Sequence, residues 1–506
     1  MARVAVVGAG MGGLAVAARL GTLGHDVVIY EQAPTWGGKL ATFNRDGFTF
    51  DTGPSLLTLP AVYRDLFIKT GKPLEESLEL VPVDPGARYR FPAVEGHDVT
   101  WLDVPNASRA RLHTALDEGL GVGAGDDWDR FLDRAHAVWQ VTRGPFLESP
   151  LAGGRDLLRL ARRTDDIRTV APWRTLRGVG RHYLRDPRLR MFLDRYATYT
   201  GSDPRRAPAA LSVVPYVEQT FGAWYIPGGL RRLGEAVLDR ALLRGVRLRT
   251  GAAVARVVVE GGRATGVQLE DGELVAADVV VVNADASHLY DDLLPGNVAG
   301  RARRRLHRAT PSLSGFVLLL ALRGRTPGLA HHTVLFPDVD RYDREFDSVF
   351  GSRGGGARPV EEPTVYISAP DDPALRPDDD HESWFVLVNA PRHGASPGGV
   401  DWDADGLASS YADQVLAVMA SRGLDVRDRV LWREVRTPAD LERATRSPGG
   451  AIYGTSSNGA QAAFLRPANA SPVPGLFLVG GSAHPGGGLP LVGLSAAIVA
   501  TLIGPA

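Results

Sequence analysis

Four glycines, Gly8, Gly10, Gly12 and Gly13, stand between the apolar run Arg3-Val4-Ala5-Val6-Val7 and a helical pattern of Leu14, Ala17, Ala18 and Leu20. A second apolar run, Asp26-Val27-Val28-Ile29-Tyr30, ends on Glu31, 18 residues beyond Gly13. These types at this spacing suit the binding of a dinucleotide. Gly8 permits a tight turn, Gly10 lets backbone N–H groups approach a pyrophosphate, and Gly13 allows a helix to pack closely on a strand. The helix N-terminus favours the phosphate charge, and Glu31 can accept ribose hydroxyls while repelling a 2′-phosphate, which disfavours NADP. FAD and NAD both remain open on this unit alone. A second glycine pair, Gly37-Gly38, follows about one strand's reach from the first turn, and two close approaches to one long cofactor point to FAD.

A third glycine-rich segment closes the chain. The run Gly475-Leu476-Phe477-Leu478-Val479 leads into Gly480-Gly481-Ser482-Ala483-His484-Pro485-Gly486-Gly487-Gly488-Leu489-Pro490-Leu491-Val492, and an apolar helical pattern follows. Two strand–glycine–helix units at opposite ends fit one FAD, the first holding the diphosphate and the second placing a helix N-terminus at the flavin carbonyl edge. Asp51 and His484 are the ionisable side chains that these motifs set nearest the flavin, candidates for a proton-handling base or, equally, a turn-former and a packing partner of the loop.

The elements that position these residues are spread over 506 residues, enough for about three domains. Hydrophobic content of 44% with 23% charged residues is that of a folded protein, and 57 basic against 58 acidic residues leave no global basic field for nucleic acid. Cysteine is absent, which excludes disulfides, thiolate metal sites and a cysteinyl–flavin bond; no metal site is expected, and redox chemistry falls to the cofactor. No run reaches the ~18–20 apolar residues of a membrane span, and the chain starts directly in a strand pattern, so a cytoplasmic protein is expected.

From Thr42 to Pro54 an aromatic ribbon turns at Asp46-Gly47 and ends at the bend Gly53-Pro54. The pattern G-G-K-L-x-T-F-x-x-x-G-F-x-F-D-x-G-P over Gly37–Pro54, with the closing H-P-G-x-G-x-P, resembles the bacterial phytoene desaturases. These are FAD-dependent carotenoid desaturases related to the amine oxidases. The resemblance is strong at both ends of the chain and weak between them. It implies that Gly38, Lys39, Gly53, Pro54, Val254, Gly480, Gly481, Pro490, Leu491 and Val492 join Gly8, Gly10, Gly12, Gly13 and Glu31 in holding FAD. Asn283-Ala284-Asp285 resembles the family's N-A-D turn. Lys39 departs from the commoner Arg, and Leu491-Val492 from the commoner Gly-Val, as in enzymes of later, modified carotenoids.

The expected fold is α/β. A Rossmann-type FAD-binding domain with a discontinuous parallel sheet takes residues 1–90, 215–300 and 449–506, a helical insertion takes 91–214, and a mixed or antiparallel substrate sheet takes 301–448. Strand patterns are predicted at Leu313–Leu322, Thr333–Phe336, Thr364–Ser368, Trp384–Asn389 and Val430–Val435, with a helix from Asp405 to about Ser421. The implied reaction removes a hydride to flavin N5 and a proton from the adjacent carbon, because allylic hydrogens on a hydrocarbon are too weakly acidic for a side chain to act first. An oxygenase or isomerase of the same family, a flavin amine oxidase and a non-enzymatic FAD scaffold are the alternatives, and the motifs specify no electron acceptor. A carotenoid must be drawn from a bilayer, which implies a protein peripheral at the inner face of the membrane. The stretch Arg155 to Arg195, with 12 Arg against 5 Asp and Leu, Val and Trp interleaved, suits an anionic interface or, equally, solvated helix faces.

Overall fold

The computed structural model describes residues 1–150, 164–352, 355–396, 398–459, 462 and 466–506. Its first sheet has five parallel strands in the order Arg247–Arg249, Asp26–Tyr30, Arg3–Val7, Val279–Val282 and Leu476–Leu478. The runs lack alternation because both faces are covered. Val4, Val6, Val27 and Ile29 pack under the helices Met11–Thr22, Arg231–Leu243 and Leu489–Ile503. Ala5, Val7, Val280 and Val282 pack instead on the antiparallel strands Val254–Glu260 and Arg263–Leu269. Three distant stretches of chain thus bring the first and last glycine turns to one sheet edge.

The second sheet has seven strands, ordered Val430–Arg436, Ser314–Arg323, His381–Ala390, Val365–Ser368, His332–Leu335, Ala87–Phe91 and Thr100–Val104. All neighbours are antiparallel except the pair His332–Leu335 and Ala87–Phe91. Leu318, Leu320, Trp384 and Val386 face the helix Leu407–Ser421. The alternate residues Val317, Leu319 and Phe385 face the aromatic ribbon, whose turn at Asp46-Gly47 has positive φ at both residues and whose Phe48 and Phe50 are buried there.

Helices Arg109–Leu120, Ala124–Thr142, Leu176–Tyr183, Pro187–Thr198 and Val213–Phe221 form the inserted region. The boundary expected at residue 90 falls inside the second sheet. Ala87–Phe91 and Thr100–Val104 are its last hairpin, because Tyr89, Phe91, Leu102 and Val104 alternate with polar residues and are buried against Trp128, Phe131 and Phe192 of the helices.

Candidate functional site

The first glycine turn is shaped by contacts that leave no room for side chains. A Cβ on Gly13 would lie 2.1 Å from the Gly8 carbonyl oxygen, and one on Gly12 would lie 3.0 Å from Gly480 Cα, so the two terminal glycine turns touch. Gly8 has φ +95°, and the helix Met11–Thr22 starts at Gly10 without a side-chain cap. The first-turn N–H groups other than that of Gly13 remain for an anion. Asn283, from the N-A-D turn, plugs the rest of the turn: with its amide oriented to satisfy both ends, its oxygen accepts from Gly10 and Gly13 N–H at 3.2 Å and its nitrogen donates to the Val479 carbonyl.

Glu31 is buried, accepting the Ala9 N–H at 2.7 Å and the Ala33 N–H at 2.9 Å. Each oxygen keeps a further lone pair, and the residue lines the cleft with Val254. The second glycine pair runs alongside the first turn: Gly37 N–H donates to the Ala9 carbonyl, and a Cβ on Gly38 would lie 3.4 Å from Gly10 Cα. A glycine-walled cleft, a buried carboxylate and an uncapped helix N-terminus together fit the adenosine diphosphate half of FAD.

Gly8, Gly10, Gly12, Glu31, Gly38, Lys39, Gly53, Pro54, Val254, Gly480, Gly481, Pro490 and Val492 all line one cavity of about 720 Å³. Gly13 and Leu491 do not; Gly13 is packed on Gly8, and Leu491 lies close to Gly486. Lys39 donates to the carbonyls of Ala451 at 3.1 Å and Ile452 at 2.6 Å, tying the second glycine loop to the C-terminal segment. Burial pushes its ammonium down to about 8, with Asp285 opposing the shift.

The two residues expected to handle a proton lie elsewhere. Asp51 accepts the N–H groups of Leu230 at 2.7 Å and Arg231 at 3.3 Å, at the start of helix Arg231–Leu243, and does not line the cavity. Burial raises its carboxyl to about 6 against the opposing N–H groups. His484 is 5% exposed, its Nε2 bonded at 3.0 Å to the Ser149 carbonyl, and burial lowers its pKa. It too lies outside the cavity lining. Each side chain ties its motif to backbone elsewhere in the chain, Asp51 to the turn before helix Arg231–Leu243 and His484 to Ser149.

Beyond the cleft the cavity continues under the seven-stranded sheet, walled by Leu313, Val317, Phe385, Leu387 and Ile452. Sequence reasoning missed the polar groups that meet this chamber from the helices. Arg195, 8% exposed, donates through Nη1 to Tyr89 Oη at 2.9 Å and Tyr199 Oη at 2.6 Å. Tyr366 Oη bonds Ser55 Oγ at 2.6 Å and His332 Nδ1 at 2.8 Å, and Tyr196 donates to Glu218 Oε1 at 2.7 Å. Burial holds the Glu218 carboxyl above its usual range against the pull of Arg195, and holds His332 neutral, its pKa well below the usual value. Arg188 and Arg195, seven apart on the helix whose Leu189, Phe192 and Tyr196 are buried, carried the signal: charges spaced on the apolar face of a helix.

The basic stretch divides. Arg155, Arg159, Arg162 and Arg163 lie outside the described residues. Arg177 bridges Asp194 and Asp343, Arg188 is fully buried against Asp186 and the Leu120 carbonyl, and Arg195 faces the chamber, so these three charges are internal. Arg168, Trp173, Arg174 and Arg181 are exposed.

A family model described as flavin containing amine oxidoreductase matches residues 11–382. The 4,4'-diapolycopene oxygenase of Methylomonas sp is 32% identical over 98% of this chain and 97% of its own length. The hydroxyneurosporene desaturase of Rubrivivax gelatinosus is 35% identical over 98% of this chain and 92% of its own. An oxidoreductase from Methanosarcina mazei has a similar fold, with a TM-score of 0.62 at 17% identity, covering 98% of this chain and 99% of that one.

Proposed function

The chain belongs to the flavin-containing amine oxidoreductases and, within them, to the carotenoid desaturases and oxygenases; from that premise we propose that it is a desaturase, introducing carbon–carbon double bonds into a long apolar polyene, a late or modified carotenoid. As a member it is an FAD-dependent oxidoreductase. The observation that carries the finer reading is the continuity of the cavity, from the glycine-walled cleft past Gly53-Pro54 to a chamber walled by Val317, Phe385 and Leu387.

FAD, when bound, supplies the acceptor for a hydride. The chain's own residues do the rest by placement. The apolar walls exclude water from an extended hydrocarbon and hold its chain by burial, at roughly 25 cal/mol per Å². The helix Leu489–Ile503 starts without a side-chain cap at Gly488, and its first residues Leu489 and Pro490 line the cavity, where its N-terminus favours negative charge. A relative with hydroxyneurosporene in its name supports a modified polyene as substrate.

The substrate is insoluble in water, and no helix among the described residues is long and apolar enough to cross a membrane. We therefore infer peripheral docking at the cytoplasmic face, through exposed Trp173 with Arg168, Arg174 and Arg181. Expression in hosts that accumulate defined linear carotenoids, with chromatography and mass spectrometry of the pigments, tests the reaction. A product lacking two hydrogens supports the desaturase. A product that has gained oxygen replaces it with the oxygenase, and unchanged pigments in every host reject both.

A further inference from the structure

We propose that Arg195, Glu218, Tyr366 and His332 form a recognition site for a hydroxyl group at the end of the polyene, set close to the bond that is oxidised. The inference deepens the desaturase reading and rests on it. It starts from a mismatch: a chamber built to hold hydrocarbon also carries polar groups that cost free energy to bury unless something pairs with them.

Arg195 enters the cavity lining from helix Pro187–Thr198 with no carboxylate within ion-pair distance among the described residues. Its guanidinium is held by the Tyr89 and Tyr199 hydroxyls and lies 5.6 Å from the Tyr366 ring centroid. Two further lining residues hold a buried polar atom short of partners, His332 at Nε2 and Glu218 at Oε2, which among the described residues has only the Tyr199 hydroxyl near it, itself taken up by Arg195. Arg195 lies over the Tyr366 ring, whose hydroxyl bonds His332, and bonds Tyr199, whose ring is 5.3 Å from that of Tyr196, the donor to Glu218, so the three share one neighbourhood. The unmet groups are thus one acceptor and one ring nitrogen beside a fixed cation.

That set selects a ligand chemistry. An amine would gain Glu218 but face the Arg195 charge at close range, and a carboxylate would gain Arg195 but face Glu218. A neutral carbonyl accepts only and leaves the Glu218 oxygen unmet while that carboxyl is ionised. A hydroxyl both donates and accepts, so it can satisfy Glu218 Oε2 and take a hydrogen bond from the cationic side. A hydrocarbon terminus satisfies neither.

The position of the cluster says where on the substrate the hydroxyl must be. Tyr366 is bonded to Ser55, the residue after Gly53-Pro54, and Tyr453, which feels both Arg195 and Tyr366, packs on Gly487, where a Cβ would lie 2.5 Å from its ring. The cluster therefore stands between the two motifs expected to flank the flavin. A hydroxyl held there puts the substrate's end and its reacting bond on the same side of the chamber, which makes this an enzyme of chain ends rather than of the middle of a polyene.

The test uses the FAD-loaded enzyme and two linear polyenes in detergent that differ only by a tertiary hydroxyl at one end. The parent should favour the hydroxylated polyene in kcat/KM by about tenfold or more, because an unpaired polar site rejects the analogue that lacks its partner. Arg195→Leu, Glu218→Gln and Tyr366→Phe should each shrink that ratio, lowering kcat/KM for the hydroxylated substrate more than for the apolar one. Tyr366→Phe removes a single oxygen, so it serves if the Arg195 variant does not fold, and FAD content and melting temperature report folding for all three. Equal turnover of both polyenes by the parent, or variants that lower both equally, would overturn the inference and leave the desaturase intact. Oxidation of neither polyene would remove the desaturase reading and this inference with it.

Discussion

Alanine at Gly10 and alanine at Gly13, three residues apart in one turn, should fail in different ways. Gly10 has φ −72° and ψ 173°, ordinary for any residue, and a Cβ there would lie 2.8 Å from the tip of the Asn283 side-chain amide and otherwise meet nothing closer than 3.9 Å. The amide must turn away and strain its hydrogen bonds to Gly10, Gly13 and Val479, so Gly10→Ala should cost the apoprotein about 1–2 kcal/mol, including the loss of a good helix-capping residue. The new methyl stands in the cleft, however, where backbone must meet the diphosphate. FAD affinity should fall at least about tenfold, or about 1.4 kcal/mol. At Gly13 the obstacle is backbone: the Cβ would be 2.1 Å from the Gly8 carbonyl oxygen, well inside contact distance, and neither atom can rotate aside. The helix must lift off the strand turn, at about 3 kcal/mol, the upper end of overpacking costs. Urea unfolding of the apoproteins and FAD titration by flavin fluorescence separate the two. A Gly10→Ala protein that binds FAD as tightly as the parent, or a Gly13→Ala apoprotein as stable as the parent, would refute the reasoning.

Lys39 makes a pH prediction: its folded pKa of about 8 lies below its value of 10.5 in an unfolded chain, so between these the unfolded chain binds more protons and the parent gains stability as pH rises. Urea unfolding from pH 7.5 to 10 should show the parent gaining relative to Lys39→Met, and a flat or falling difference would contradict the burial of that charge. Asp51→Asn and His484→Gln should keep kcat within about twofold of the parent while lowering stability by about 1 kcal/mol, because both side chains hold backbone turns. A loss of turnover at unchanged FAD content and stability would return them to the reaction. Anionic vesicles should sediment the parent less well as salt rises, each surface Arg contributing about 1 kcal/mol, and Trp173→Ala with Arg174→Glu should weaken binding at constant FAD content; equal binding would move the docking face elsewhere.

The parts of the fold that were legible are those encoded locally. The run from Arg3 to Glu31 carries strand, turn, helix and strand in one window, and the Asp46-Gly47 ribbon states its own register. The strand patterns at Leu313–Leu322 and Trp384–Asn389 found Ser314–Arg323 and His381–Ala390 to within a few residues, since each is a long apolar run. The pairing of Ala87–Phe91 with His332–Leu335 was hidden because a parallel contact across some 240 residues leaves no local mark. For Asp51 and His484 the sequence left a proton-handling role beside a turn-forming or packing one, because being next to a glycine turn in sequence does not say which way a side chain points; both are bonded to backbone and do not line the cavity. The Arg195 cluster was masked by its setting: in a stretch so rich in arginine, a count of charge could not distinguish the inward-facing Arg188 and Arg195 from the exposed Arg174 and Arg181.

Anaerobic mixing of the FAD-loaded protein with a linear polyene tests the central claim most directly, since it reads the flavin and the substrate together. Bleaching of the yellow flavin band, in step with a polyene that has gained one conjugated double bond and no oxygen, is the predicted result. A flavin that stays oxidised with every polyene, or that a primary amine bleaches instead, would contradict it.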